Sequence, residues 1–166
     1  ITREFILYDT EFNNLYSSIE NKNLRLKSID AVVTEGCSLK CKNCSNLMQY
    51  YKKPKDAEQE LLEDNVEKIL SAVDKIYDVR ILGGEPFLYK HLPKLLGMIC
   101  ESKKVSRVTV YTNATFVPKP EVLESLKNNM IEVEITDYDE LSRNRLKMIA
   151  TFKEHKIRYI DHKPQN

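Results

Sequence analysis

Between Ile29 and Ile160 five short apolar runs alternate with four longer stretches of helical periodicity. Runs of four or five apolar residues separated by amphipathic segments predict strand–helix units joined by crossovers, and therefore a parallel sheet. The predicted strands are 29–33, 79–82, 108–111, 131–135 and 157–160. The first is followed by a helix with Leu62, Val66, Ile69, Leu70 and Val73 on one face, the second by one with Leu92, Leu95, Leu96 and Ile99 inward. A third helix is expected from Pro120, whose fixed φ suits a first helical position, with Leu123 and Leu126 inward. Leu146, Ile149 and Phe152 mark a fourth. Ahead of these units, 1–27 reads as an N-terminal extension packing on a core of 28–166, with an apolar run at Phe5–Tyr8 and a helix bearing Phe12, Leu15, Tyr16 and Ile19.

A closed eight-stranded barrel needs at least ~200 residues, and this sequence has 166. Five units therefore make either an open sheet or an incomplete (β/α) barrel. In both, functional groups collect where parallel strands end. The polar punctuation of the chain agrees: a cysteine-rich loop follows the first strand, Gly83-Gly84-Glu85-Pro86 the second, Thr112-Asn113 the third and Thr136-Asp137 the fourth. Three of the four glycines, Gly36, Gly83 and Gly84, sit in these loops.

Cys37, Cys41 and Cys44 carry the strongest chemical signal. Residues so close in sequence make poor disulfide partners and good metal ligands. Soft thiolates suit zinc, copper(I) or an iron–sulfur cluster. A structural zinc wants four protein ligands, and the only further candidates, Cys100 and His91, lie far away in sequence. Cys100 falls on the apolar stripe of its helix and reads as a core thiol. Three cysteines on a four-iron cluster would instead leave one iron open to an external ligand. On the residues alone, a zinc-stabilised binding module without catalysis and an iron–sulfur centre both stand. The Gly-Gly-Glu-Pro turn is by itself a tight strand-to-helix connection, Thr112-Asn113 a strand-ending turn, and Thr136-Asp137 a helix cap. His91 and His155 sit near helix ends, where His155 complements the helix dipole, and His162 follows the fifth strand.

Composition removes several function classes. Lys plus Arg number 26 and Asp plus Glu 25, a net charge of +1, so no global field recruits nucleic acid or an anionic membrane. No basic stripe accompanies the nine tyrosines, so no nucleic-acid partner is expected. No apolar run approaches a membrane span, and no secretory signal pattern opens the chain. A cytoplasmic setting, where thiols stay reduced, is expected. The first residue is Ile, not Met, and further sequence is expected to belong to the working protein.

Taken together and in order, Cys37-x-x-x-Cys41-x-x-Cys44 after a first strand and Gly83-Gly84-Glu85-Pro86 after a second resemble the radical S-adenosylmethionine (radical SAM) enzymes. The resemblance covers roughly Ile29 to Pro164. It implies a partial barrel of six βα units, five of them visible here, whose C-terminal part lies beyond this sequence. It implies that Cys37, Cys41 and Cys44 hold a [4Fe–4S] cluster whose open iron is chelated by the methionyl amino and carboxylate groups of S-adenosylmethionine. Gly83 and Gly84 would let backbone approach that group, and the Glu85 carboxylate would accept a hydrogen bond from its ammonium. Thr112, Asn113, Thr136 and Asp137 would serve the cofactor's carboxylate and ribose. The activity implied is reductive cleavage of S-adenosylmethionine to a 5′-deoxyadenosyl radical that abstracts hydrogen from a small molecule, peptide or carbohydrate. The implied electron donor is a flavodoxin or ferredoxin, and a glycyl-radical activating enzyme acting on a protein partner is the alternative within the family. Asn43 stands where many members have an aromatic residue, so adenine contacts are expected from Leu47, Met48 or Tyr50. The family's glycine-rich motif at the fifth strand is absent from 157–161.

Overall fold

In the computed structural model, residues 24–163 are described. The apolar run at Phe5–Tyr8 and the helix expected around Phe12 to Ile19 lie outside the described residues. Five strands form one sheet in the order of the sequence, and every neighbouring pair is parallel. They are β1 (Arg25–Val32), β2 (Lys75–Leu82), β3 (Val108–Thr112), β4 (Ile131–Thr136) and β5 (Tyr159–His162). The helices are α1 (Gln59–Ala72), α2 (Leu92–Glu101), α3 (Pro120–Ser125) and α4 (Arg145–Glu154). This is the open, incomplete (β/α) barrel that the alternation predicts.

One face of the sheet is apolar and covered. Ala31, Val79, Ile81, Val108, Val110, Ile131, Val133 and Ile135 form a single cluster with Val66 of α1, Leu92, Leu95, Leu96 and Ile99 of α2, Val122 and Leu123 of α3, and Met148 and Phe152 of α4. At roughly 1.5–3 kcal/mol per large apolar side chain buried, this layer supplies the main favourable term of the fold. The other face carries the alternate residues and is polar. Asp30 pairs with Arg80 (2.6 Å), Asp78 with Arg107 (2.8 Å), and Glu132 with Arg158 (3.1 Å). In β4 the alternation is strict: Ile131, Val133 and Ile135 are buried, whereas Glu132, Glu134 and Thr136 are half-exposed.

Two differences from the sequence reading have physical causes. β1 and β2 begin four residues before the apolar runs, at Arg25 and Lys75. Leu26 with Ile29, and Ile76 with Val79, all pack on the core although three residues apart. The two-residue alternation therefore slips once in each strand, and Lys27-Ser28 and Tyr77-Asp78 both border the same cavity on the open face. The second difference lies in two helix residues read as inward: Ile69 of α1 is 37% exposed and Leu146 is 76% exposed. Met148 and Phe152, one turn apart, are the buried residues of α4, and Ile149 packs partly against the core.

Candidate active site

The loops after β1 and β2 are fastened to each other by main chain. Gly84 N–H donates to Thr34 O and Glu85 N–H to Gly36 O, both at 2.8 Å. Glycine is required for this approach. A Cβ on Gly84 would stand 2.1 Å from Gly36 O and 2.7 Å from Cys37 Cβ, and one on Gly83 would stand 2.6 Å from Thr34 O. The turn after β2 thus presses against the segment that delivers Cys37.

Glu85 extends the fastening to β3. Its side chain is wholly buried and accepts from Asn113 N (2.9 Å), Phe87 N (3.2 Å) and the Thr112 hydroxyl, which reaches both carboxylate oxygens at 3.0 Å. Burial raises its pKa from 4.5 to about 7, against the pull of these donors. Thr112, Asn113 and Thr115 are buried with it. Thr115 also pairs with Ser38, and Ser142 donates to Asn113 O (2.8 Å) and Thr136 O (3.2 Å). One polar network therefore runs through the ends of the first four strands.

Cys37, Cys41 and Cys44 line a cavity of about 210 Å³ together with Leu82, Gly83, Tyr111, Thr112, Asn113, Thr136 and Tyr138. Among the described residues, no three of His, Cys, Asp and Glu converge on one metal-sized point; the thiols are spread around the cavity wall. Cys37 Sγ accepts from Leu39 N (3.4 Å) and from Asn113 Nδ2 (3.5 Å). Burial pushes the Cys37 thiol up, and Glu85, Cys41 and Cys44 push it further. Burial likewise raises Cys41, with Cys44 adding to it. Three thiols around a shared space, with N–H donors aimed at Cys37, suit a cationic iron–sulfur centre. The donor set fits the group.

A family model described as the Radical SAM superfamily matches residues 31–159. The chain belongs to that superfamily. Its solved relatives agree in fold. Streptococcus suis SuiB bound to S-adenosylmethionine is 19% identical, with a TM-score of 0.68 over 98% of this chain and 42% of that one. SuiB bound to the precursor peptide SuiA is 18% identical, with a TM-score of 0.65 over 100% and 42%. Native anSMEcpe with bound AdoMet is 20% identical, with a TM-score of 0.64 over 82% and 43%. This radical SAM chain spans less than half the length of these relatives. The superfamily's cofactors are a [4Fe–4S] cluster and S-adenosylmethionine.

Of the residues singled out in the sequence, Cys37, Cys41, Cys44, Gly83, Thr112, Asn113 and Thr136 border one cavity. Gly84 and Glu85 lie behind its wall as fasteners. Asp137 stands apart: it accepts from Asp139 N (2.9 Å), approaches Arg145 Nε (3.7 Å), and borders an outer cleft with Arg143 and Leu146. Leu47 and Tyr50 are 56% and 72% exposed, Met48 is buried, and none of the three lines the cavity. The aromatic residues that do are Tyr111 and Tyr138, which the sequence reading passed over. Burial raises the Tyr138 phenol, followed by the three thiols. Position was the available signal: Tyr111 and Tyr138 flank the same two strand ends as Thr112 and Thr136. Cys100 packs partly buried against the core, with its thiol pushed up to about 11 by burial, and His162 faces Glu134 at 3.9 Å on the open face. Among the described residues, no helix is long and apolar enough to cross a membrane.

Proposed function

We propose that this chain is the catalytic core of a radical SAM enzyme in which Cys37, Cys41 and Cys44 hold the [4Fe–4S] cluster and the cavity they border receives S-adenosylmethionine. When bound, that pair supplies the 5′-deoxyadenosyl radical that abstracts hydrogen from a substrate. The observation that carries the reading is the shared wall of one cavity, lined by all three cysteines together with the ends of β2, β3 and β4. The protein's own part is orientation. Gly84 and Glu85 fix the turn after β2 against the cysteine loop, Gly83 presents main chain to the cavity, and Thr136 offers a hydroxyl. Tyr111 and Tyr138 provide aromatic surface beside the thiols and so exclude water.

The substrate class best supported is a peptide. Tyr111 borders both the thiol cavity and a second cavity of about 520 Å³ lined by Lys27, Asp78, Arg80 and Arg107. A hydrogen-bonding chain is suited to such a polar surface, and the relative SuiB binds a precursor peptide. The electron donor is a flavodoxin or ferredoxin.

The test is anaerobic reconstitution with iron and sulfide, followed by electron paramagnetic resonance of the reduced protein with and without S-adenosylmethionine. A [4Fe–4S]⁺ signal that changes on adding the cofactor, with release of 5′-deoxyadenosine, is expected. Cys41→Ala should abolish both while Cys100→Ala leaves them intact. Stoichiometric zinc without labile sulfide in the purified protein would overturn the proposal.

A further inference from the structure

Asn113 is where the loops after β1, β2, β3 and β4 meet, and each of its polar atoms has a partner. Its main-chain N–H donates to Glu85 and its carbonyl accepts from Ser142. Its side-chain oxygen accepts from Thr115 N (3.0 Å) and from the Thr115 hydroxyl (2.7 Å). That leaves Nδ2 to face Cys37 Sγ at 3.5 Å and Ser38 Oγ at 3.4 Å. The amide cannot turn over without loss. A main-chain N–H only donates, so the atom facing Thr115 N must be the oxygen, and the NH₂ group is thereby aimed at the sulfur.

We infer that Asn113 is a positioning residue for the cluster: its side-chain amide donates an N–H···S bond to Cys37 and holds the reduction potential of the cluster higher than three unassisted thiolates would. This rests on the proposed cysteine ligation. The physical reason is that reduction adds negative charge, which spreads onto the ligating sulfurs, and a donor at sulfur stabilises that charge. Cys37 is the favoured sulfur. It also receives Leu39 N–H, whereas among the described residues no side-chain donor reaches Cys41 or Cys44. The role differs from binding cofactor carboxylate or ribose, because the donor hydrogens of the amide are already directed at the cysteine loop.

Two measurements on the cluster-loaded protein, both without S-adenosylmethionine, test it. Pulsed electron paramagnetic resonance of the reduced wild-type protein, carrying ¹⁵N in asparagine side-chain amides, should show a coupling to nitrogen that disappears in N113A. A redox titration should place the midpoints of N113A and N113D below wild type, N113D lowest because it sets a carboxylate against the sulfur. S142A loosens the Asn113 main chain but leaves the amide in place, and should keep the wild-type midpoint while lowering thermal stability. Wild-type midpoints in both Asn113 variants, or no nitrogen coupling in the wild type, would overturn the inference while leaving the function standing. Absence of any cluster signal from the wild type would instead overturn the function and the inference with it. Should neither variant load a cluster, the labelled wild-type measurement decides alone.

Discussion

A methyl group on Gly84 would meet the Gly36 carbonyl carbon at 2.5 Å as well as its oxygen, and neither can retreat without moving Cys37. Gly84→Ala is therefore expected to destabilise the fold by about 2–4 kcal/mol and to prevent cluster loading. Thermal melting and iron content would check it, and a variant with wild-type values of both would refute it. The sequence made the Gly-Gly-Glu-Pro turn conspicuous and suggested that its glycines admit a ligand. The structure supplies another reason for Gly84, because the close neighbour is the chain's own cysteine loop. Sequence spacing says that a glycine is needed but not what lies across from it. Tyr111 and Tyr138 illustrate the converse. An aromatic residue at a strand end is indistinguishable in sequence from one that packs the core, and only the placement of the end of β3 and of the turn after β4 brings Tyr111 and Tyr138 to the thiol cavity.

At the level of elements, the helices were legible wherever an apolar stripe met a packed sheet. α2 shows this best: Leu92, Leu95, Leu96 and Ile99 are all fully buried. Gly97 lies on its outer side, and an added Cβ would meet nothing within 4 Å. Gly97→Ala should thus stabilise the protein by about 0.5–1 kcal/mol, chiefly by restricting the unfolded chain. Denaturant titration would measure it, and a loss of stability would show that the outer face of α2 is not free. α4 was harder to read, because its buried residues Met148 and Phe152 are outnumbered by polar neighbours and Leu146 faces outward. The first halves of β1 and β2 escaped notice for a related reason. Their open face is polar, and the alternation that would reveal a half-covered strand slips at Lys27-Ser28 and Tyr77-Asp78.

For the whole molecule, the buried Glu85 links global stability to pH. Its pKa is about 7 in the fold against 4.5 for the free group, so between these values the folded chain holds a proton that the unfolded chain has lost. Stability from this group is full below about pH 4.5, falls as pH rises and levels off above pH 7. The fall approaches about 3 kcal/mol at ~1.4 kcal/mol per pKa unit. Denaturant unfolding of the metal-free chain at pH 5, 6, 7 and 8 should show it, and Glu85→Gln, though less stable throughout, should lack that slope. An identical slope in the variant would assign the pH dependence elsewhere. The architecture itself was the most legible property, because alternation of strands and helices dictates a parallel sheet. The polar open face was not, since charged residues within a strand look the same whether they face solvent or a binding space.

The sheet order has one more consequence. Among the described residues, each strand hydrogen-bonds to the strands adjacent in sequence, so each pairing closes over a single strand–helix unit. Pairing in sequence order favours stepwise assembly. A chain emerging from the ribosome can dock unit upon unit. The thiol loop acquires its last walls, Thr136 and Tyr138, when β4 and the turn after it have arrived. β5 then joins a sheet in which every described wall of the sulfur-lined cavity is already in place, and the order of synthesis becomes an order of construction in which these walls are framed before β5 is laid.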